Sequence, residues 1–309
     1  MFSESRFAMP VSQTISKNPL AQSVHQTKII LEMIKFEHTV FMLPFALMAS
    51  VVASRHDWPG FWSKVPWILL AMVGARSSAM AFNRLVDQKY DALNPRTATR
   101  ALPAGLLTPL QVAVFTAVAA ALLVFAADEL NPLAFALSPV ALLLALGYSY
   151  TKRFTAFSHF FLGLALAVAP VGAWIAITGR IDPPALWLGG AVVFWLFGFD
   201  ILYALQDTEF DRANGLHSMP ARLGNTRALL VSRLAHLVMI GLLVMVGVSA
   251  GLGWIYFLAV GIVALMIAYE QSLVKADDLS KLNLAFFTLN GYISVGLFLL
   301  TLVDVLVQG

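Results

Sequence analysis

Val65-Pro-Trp-Ile-Leu-Leu-Ala-Met-Val-Gly-Ala-Arg76-Ser-Ser-Ala-Met-Ala-Phe-Asn83-Arg-Leu-Val-Asp87-Gln-Lys-Tyr-Asp91 is the stretch on which the fold turns. Most of it is an apolar run of roughly 20 residues, the length a helix needs to cross a hydrocarbon core. Its end places Asn83, Asp87 and Asp91 four residues apart, on one helix face. Arg76, seven residues before Asn83, continues that polar stripe two turns deeper. One helix thus crosses a membrane and leaves it as a row of amide and carboxylate groups.

Working outward, comparable apolar runs recur along the whole chain, and we read nine spans: 37–54, 65–86, 109–127, 132–150, 157–178, 185–206, 227–248, 252–270 and 284–307. Hydrophobic residues are 59% and charged residues 12% of the sequence, against about half and about a quarter in a soluble domain. The fold class is therefore all-α, a polytopic membrane bundle with membrane lipid as its solvent. Residues 1–26 are polar and turn-rich and are expected to be a disordered tail, with 27–309 forming the transmembrane domain. Residues 27–36 form an amphipathic segment suited to the interface. The N-terminus lacks the pattern of a cleaved signal peptide, so the first span serves as the insertion signal. With no cysteine there is no disulfide or thiolate chemistry.

A net charge of +3 could point to nucleic acid, but the placement of the basic residues excludes it. The odd-numbered gaps hold Arg55, Lys64 and Arg180, whereas the N-terminal segment and even-numbered gaps hold sixteen basic residues. This bias places the N-terminus and even gaps in the cytoplasm, and the chain in the inner (plasma) membrane.

Span six ends in Asp200-Ile-Leu-Tyr203-Ala-Leu-Gln-Asp207-Thr-Glu-Phe-Asp211. Asp207 and Asp211 are again four apart, and Asp200 lies seven before Asp207. Arg76, Asn83 and Asp87 have the same offsets, which predicts matched polar stripes on two helices. Stacked like charges destabilise a helix, and an ionised group deep in a bilayer costs about 3 kcal/mol or more. A divalent cation compensates. Mg2+ takes one or two carboxylates plus substrate phosphates, so Asp87, Asp91, Asp207 and Asp211 are the expected metal ligands.

Basic partners for an anionic substrate follow each cluster: Arg96 and Arg100 after the first, Arg222 and Arg227 after the second, and Lys152 and Arg153 after Tyr148 at the end of span four. Arginine binds phosphate bidentately and lysine as a point charge. We expect Arg96, Arg100, Lys152 and Arg153 to contact substrate. His38 and His217 flank the mouth and are expected to be solvated; His25, His56, His159 and His236 receive no role. Gly163, Gly172, Gly189 and Gly190 either open a groove or pack helices closely, and close packing is the favoured reading.

These residues resemble the UbiA superfamily of intramembrane prenyltransferases. The resemblance rests on N-x-x-x-D-x-x-x-D at Asn83–Asp91, D-x-x-x-D at Asp207–Asp211, Y-x-x-x-K at Tyr148–Lys152 and R-T-x-x-R-x-L-P-x-G at Arg96–Gly105. It extends from about Lys35 to the last span, and implies nine helices around a central cavity. It also implies transfer of an isoprenyl chain from its diphosphate. The sequence is most similar to the 4-hydroxybenzoate polyprenyltransferase branch. The runs from Lys35 to Pro44 and from Gly215 to Gly224 are similar to futalosine-route menaquinone enzymes, which prenylate a dihydroxynaphthoate. Gln88 stands where many relatives carry arginine, which leaves the acceptor open between 4-hydroxybenzoate and a dihydroxynaphthoate.

The expected chemistry is Mg2+-assisted departure of diphosphate from a polyprenyl diphosphate, followed by attack of the allylic cation on an aromatic acid. Asn83 offers an amide oxygen to metal or diphosphate, and Tyr148 joins the substrate wall. Asp200 and Tyr203, a turn or two deeper, could orient a phenol or accept its proton, or could bond Arg76 or one another. The rivals are haem, chlorophyll or glycerolipid prenylation and a cation-coupled transporter. A transporter would favour broken helices and midplane carboxylates.

Overall fold

A computed structural model describes residues 19–34, 42–282 and 284–308. Its twelve α-helices are α1 (Pro19–Met33), α2 (Leu43–Ala53), α3 (Trp58–Leu93), α4 (Pro109–Leu130), α5 (Pro132–Thr151), α6 (Ser158–Thr178), α7 (Pro183–Ala204), α8 (Thr208–Ala213), α9 (Met219–Leu223), α10 (Asn225–Ala250), α11 (Trp254–Leu273) and α12 (Asn290–Gln308). A 3-10 turn (Leu205–Asp207) joins α7 to α8, and a π-helical turn (Leu284–Leu289) leads into α12. Among the described residues eight helices are long and apolar enough to span a membrane: α3 to α7 and α10 to α12. The first predicted span is represented by α2, only eleven residues long. Residues 35–41, with His38 and the start of that span, lie outside the described residues.

Local chemistry fixes the helix ends. Asp57 caps α3 by accepting from the Gly60 amide, with Pro59 in the first turn. Thr108 and Gln111 form a reciprocal capping box on α4. Asn131 caps α5 through its carbonyl oxygen, while its amide donates to the last carbonyls of α6, on Ile175 and Ala176, at 2.9 and 3.1 Å. α3 has 36 residues, about 54 Å of helix. That exceeds a hydrocarbon core of about 30 Å, so α3 is longer than one crossing needs, and its polar C-terminal turns carry Asn83, Asp87 and Asp91.

α7 is the central helix, with its apolar window mostly buried between α6 and α10. Gly163 allows the α6 contact, since a Cβ there would sit 2.6 Å from the Val193 carbonyl oxygen. Gly189 faces Val171 in the same seam, whereas a Cβ at Gly172 would meet open space. A buried polar knot ties α7 to the last three helices. Trp195 donates to Asn290 at 2.7 Å, Ser232 donates to the Gly198 carbonyl at 2.7 Å, and Gln271 donates to Ser232 at 2.8 Å.

Loops alternate between two ends of the bundle. At the end without aspartate clusters, two of the three basic residues close helices. Arg55 donates to the Ala250 carbonyl ending α10 at 2.7 Å, and Lys64 to the Ile177 carbonyl near the end of α6 at 2.9 Å. Both complement a helix C-terminus. Arg180 lies 3.9 Å from Asp182 in the exposed turn.

Candidate active site

The opposite end gathers the C-termini of α3, α5 and α7 with the loops that follow them. On α3, Asn83 donates to Asp87 at 2.9 Å, one turn on. Asp91 is buried and held by two guanidiniums, Arg100 at 2.6 Å and Arg84 at 3.8 Å. The chain then folds back: Asn94 accepts from the Arg96 amide at 3.0 Å, and the Thr97 hydroxyl donates to the Asp91 carbonyl at 3.0 Å. This turn aims Arg96 at the second cluster. Its Nε and Nη2 donate to both oxygens of Asp207, at 3.2 and 2.7 Å, and its guanidinium lies over the Tyr203 ring, 5.6 Å from the centroid. Burial works against the Arg96 charge, but the hydrogen bonds and charge of Asp207 outweigh it and raise its pKa above the ordinary value.

The second cluster corrects the expectation of matched stripes. α7 stops at Ala204, Asp207 lies in the 3-10 turn, and Asp211 belongs to α8. A 3-10 turn has 3.0 residues per turn instead of 3.6, so Asp200, Asp207 and Asp211 do not share one continuous helical face. The short helix is anchored from outside. The Leu216 amide donates to the Asp211 carbonyl at 2.9 Å, and the His217 amide to the Lys152 carbonyl at 2.7 Å. Asp211 is 0% exposed. Lys152 forms an ion pair with it at 2.8 Å, and neither Asp211 oxygen has a hydrogen-bond partner.

The end of α5 completes the ring. Arg153 lies 3.5 Å from Asp87, donates to the Val86 carbonyl at 2.6 Å, and stacks on Tyr90 and Tyr150. Each of the four aspartates therefore faces a basic side chain. Three of these pairs, Asp87 with Arg153, Asp207 with Arg96 and Asp211 with Lys152, join different segments.

A cavity of about 200 Å³ opens between these segments. Asn83, Asp87, Arg96, Tyr148, Lys152, Asp200, Tyr203 and Asp207 line it, all of them sequence-predicted. Arg76, Asp91, Arg100, Arg153 and Asp211 are not in its wall; the last four stand behind it as partners in the ion-pair ring. Arg222, Arg227 and His217 are exposed and outside it. The sequence reading missed His159, which lines the cavity and lies 2.7 Å from Asp200. It also missed Arg84, counted only as a topological charge, and Asn94, whose amide reaches Asp207 at 3.5 Å. An arginine within an apolar span needs a partner, and the place of Arg84 inside span two, beside Asn83, was the available signal.

The sequence profile of the UbiA prenyltransferase family matches residues 42–292. The chain belongs to this family. A 4-hydroxybenzoate octaprenyltransferase of Saccharophagus degradans is 30% identical over 265 residues, covering 81% of this chain and 87% of the relative. The apo structure of a UbiA homologue from Aeropyrum pernix K1 superposes with a TM-score of 0.78 at 32% identity, covering 87% of this chain and 98% of that one. A UbiA homologue from Archaeoglobus fulgidus, solved bound to DMAPP and Mg2+, shares the fold with a TM-score of 0.69 at 20% identity, covering 90% and 99%. As a UbiA prenyltransferase the chain is an integral membrane enzyme, and its interleaved carboxylates and cations lie within the matched region.

Proposed function

We propose that the protein transfers a polyprenyl chain from its diphosphate to an aromatic acid in quinone biosynthesis, with Mg2+, at the cytoplasmic end of an inner-membrane bundle. The observation that carries this reading is the ring of four aspartates and their basic partners around one cavity. The named relative supports 4-hydroxybenzoate as the first acceptor to test, with the dihydroxynaphthoates next. The bias of basic residues toward this end supports a cytoplasmic site.

The residues fit a hard cation. Among the described residues no three acidic or imidazole side chains converge tightly enough to hold a metal alone. Paired carboxylates completed by substrate phosphate are the usual Mg2+ arrangement. Asp91 and Asp211 each bury a carboxylate oxygen that has no hydrogen-bond partner, as ligands awaiting a cation would. Asp87, Asp91, Asp207 and Asp211 are the residues to hold it, and bound Mg2+ supplies Lewis-acid stabilisation of the charge growing on the bridging oxygen.

The chain's own groups do the rest. Lys152 and Arg96 line the cavity and meet the diphosphate directly, exchanging a carboxylate partner for phosphate oxygens. Arg153 and Arg100 add positive potential from behind, Asn83 and Tyr148 orient polar oxygens, and Leu162 and Ala204 give the wall an apolar portion that keeps water from the allylic cation. In detergent, the purified protein should release pyrophosphate from a polyprenyl diphosphate only with Mg2+ and an aromatic acid, with the prenylated acid found by mass spectrometry. Failure to prenylate 4-hydroxybenzoate and every dihydroxynaphthoate offered would move the acceptor to another chemical class.

A further inference from the structure

The loop that carries Arg96 and Arg100 has an apolar underside that the ion-pair ring does not explain. Just after Arg100 the chain closes on itself. The Ala104 amide donates to the Arg100 carbonyl at 2.9 Å, and the Leu106 and Leu107 amides donate to the Ala101 carbonyl at 2.9 and 3.3 Å. This turn has Arg100 at its entrance, and its Leu102 and Leu107 are buried. Their cover comes from outside the loop. Both leucines belong to one apolar cluster with Ala81 of α3, Val112 of α4, and Met33 and Ile34 at the end of α1. Ile34 continues the helical bonding of α1, its amide donating to the Ile30 carbonyl at 3.0 Å. Ile29 and Ile30, one turn earlier, pack against the same cluster. Positions 29, 30, 33 and 34 form one narrow helix face. The other face is exposed: Lys28 lies 3.9 Å from Glu32 there, and Leu31 is 44% exposed. α1 therefore presents its apolar stripe to the loop and to α3, and its charged face outward.

We infer that α1 is a clamp that holds this loop in its diphosphate-binding shape, with Met33 and Ile34 as positioning residues for Arg96 and Arg100. This rests on the reading above that those two arginines serve the diphosphate. Leu102 is two residues from Arg100 and six from Arg96, so a displacement of Leu102 passes along a short stretch of backbone to both guanidiniums. Arg96 is the more sensitive of the two. Its forked contact with Asp207 joins segments 111 residues apart, and a planar bidentate pair tolerates little misplacement. A loop held by few apolar contacts opens locally at low free energy, and the stripe of α1 supplies the contacts that keep this one closed. The dependence runs both ways. α1 has 15 residues, near the limit of about 12–15 below which an isolated helix is marginal in water. Its stripe is covered only while the loop is closed, so helix and loop order each other.

The test uses the full-length protein in detergent, with two measurements on each variant: amide hydrogen exchange across residues 96–107 by mass spectrometry, and steady-state pyrophosphate release at varied polyprenyl diphosphate. Met33→Gln combined with Ile34→Asn makes the end of the stripe polar. Exchange across the loop should rise about 10-fold, and saturating donor with Mg2+ should slow it again. Donor KM should rise about 10-fold, while kcat and acceptor KM stay within about twofold. The conservative pair Met33→Leu with Ile34→Val should keep wild-type exchange and donor KM. Leu31→Gln, on the exposed face, should do the same; a Leu31→Gln effect as large as that of the polar pair would mean that α1 acts through lipid, and overturns the inference. If the polar pair does not purify as a monodisperse protein, Leu102→Ala removes the loop's side of the same cluster and is read in the same way. Unchanged loop exchange, or a fall in kcat with donor KM unchanged, overturns the clamp and leaves the proposed function intact. A wild type inert toward every polyprenyl diphosphate overturns the proposed function, while the exchange comparison needs no turnover and still decides whether α1 holds the loop.

Discussion

The two aspartate clusters reach the same cavity by different means. Asp87 and Asp91 ride an unbroken α-helix, so the helical repeat sets their spacing, and their partners lie partly on the same segment. Asp207 and Asp211 sit where α7 breaks down, and contacts from elsewhere hold them: Arg96 from the first loop, Lys152 from α5, and the 214–218 turn. The first cluster is a local structure that needs little help. The second is a tertiary structure, assembled only when α3, α5 and α7 are docked. Redundancy follows the same division, since Asp91 has two guanidiniums and the wholly buried Asp211 has one ammonium.

The sharpest way to break the comparison is to neutralise one carboxylate in each cluster. Asp87→Asn and Asp207→Asn should each lower kcat by about 10²–10³-fold, the scale for losing one preorganised electrostatic contact. Steady-state pyrophosphate release measures this, and full turnover in either variant would remove that cluster from the reaction. Next comes redundancy. Lys152→Met strands Asp211 without a cation and should cost about 3–5 kcal/mol of stability, read as a fall in thermal unfolding temperature in detergent. Arg100→Met leaves Asp91 with Arg84 and should cost only about 1–2 kcal/mol. Equal losses would mean that the clusters are supported alike. Arg96→Lys keeps the charge but loses the fork on Asp207, and should raise the donor KM roughly 10-fold, the worth of about 1.4 kcal/mol, with a smaller change in kcat. The smallest effect belongs to the local cluster. Thr97→Ala removes the hydroxyl bond to the Asp91 carbonyl and should cost about 1 kcal/mol of stability, with kcat within about twofold.

This contrast also explains what could be read from the sequence. Hydropathy located the spanning helices, and Asn83, Asp87 and Asp91 were legible because an α-helix converts spacing of four directly into a shared face. The same rule misread Asp207 and Asp211. No proline or glycine lies between Ala204 and Asp211 to announce the break; the 3-10 turn comes from tertiary docking, which periodicity cannot register. His159 was hidden for a related reason. A histidine within an apolar span is ordinarily core, and only the approach of α6 to α7 brings it to Asp200. The ion-pair partners were legible as a population of basic residues at one end, but their pairings join positions up to 111 apart in sequence.

The closure by Arg55 and Lys64 of the helix ends away from the cavity has an electrical consequence. Those two charges persist when carbonyls accept from them, so three basic residues sit at that end and sixteen at the other. In the proposed orientation the molecule is a charge dipole aligned with an energised membrane, negative inside. Drawing a positive residue back across the full potential would cost about 2.3 kcal/mol per 100 mV. In that orientation the membrane potential opposes inversion of the bundle.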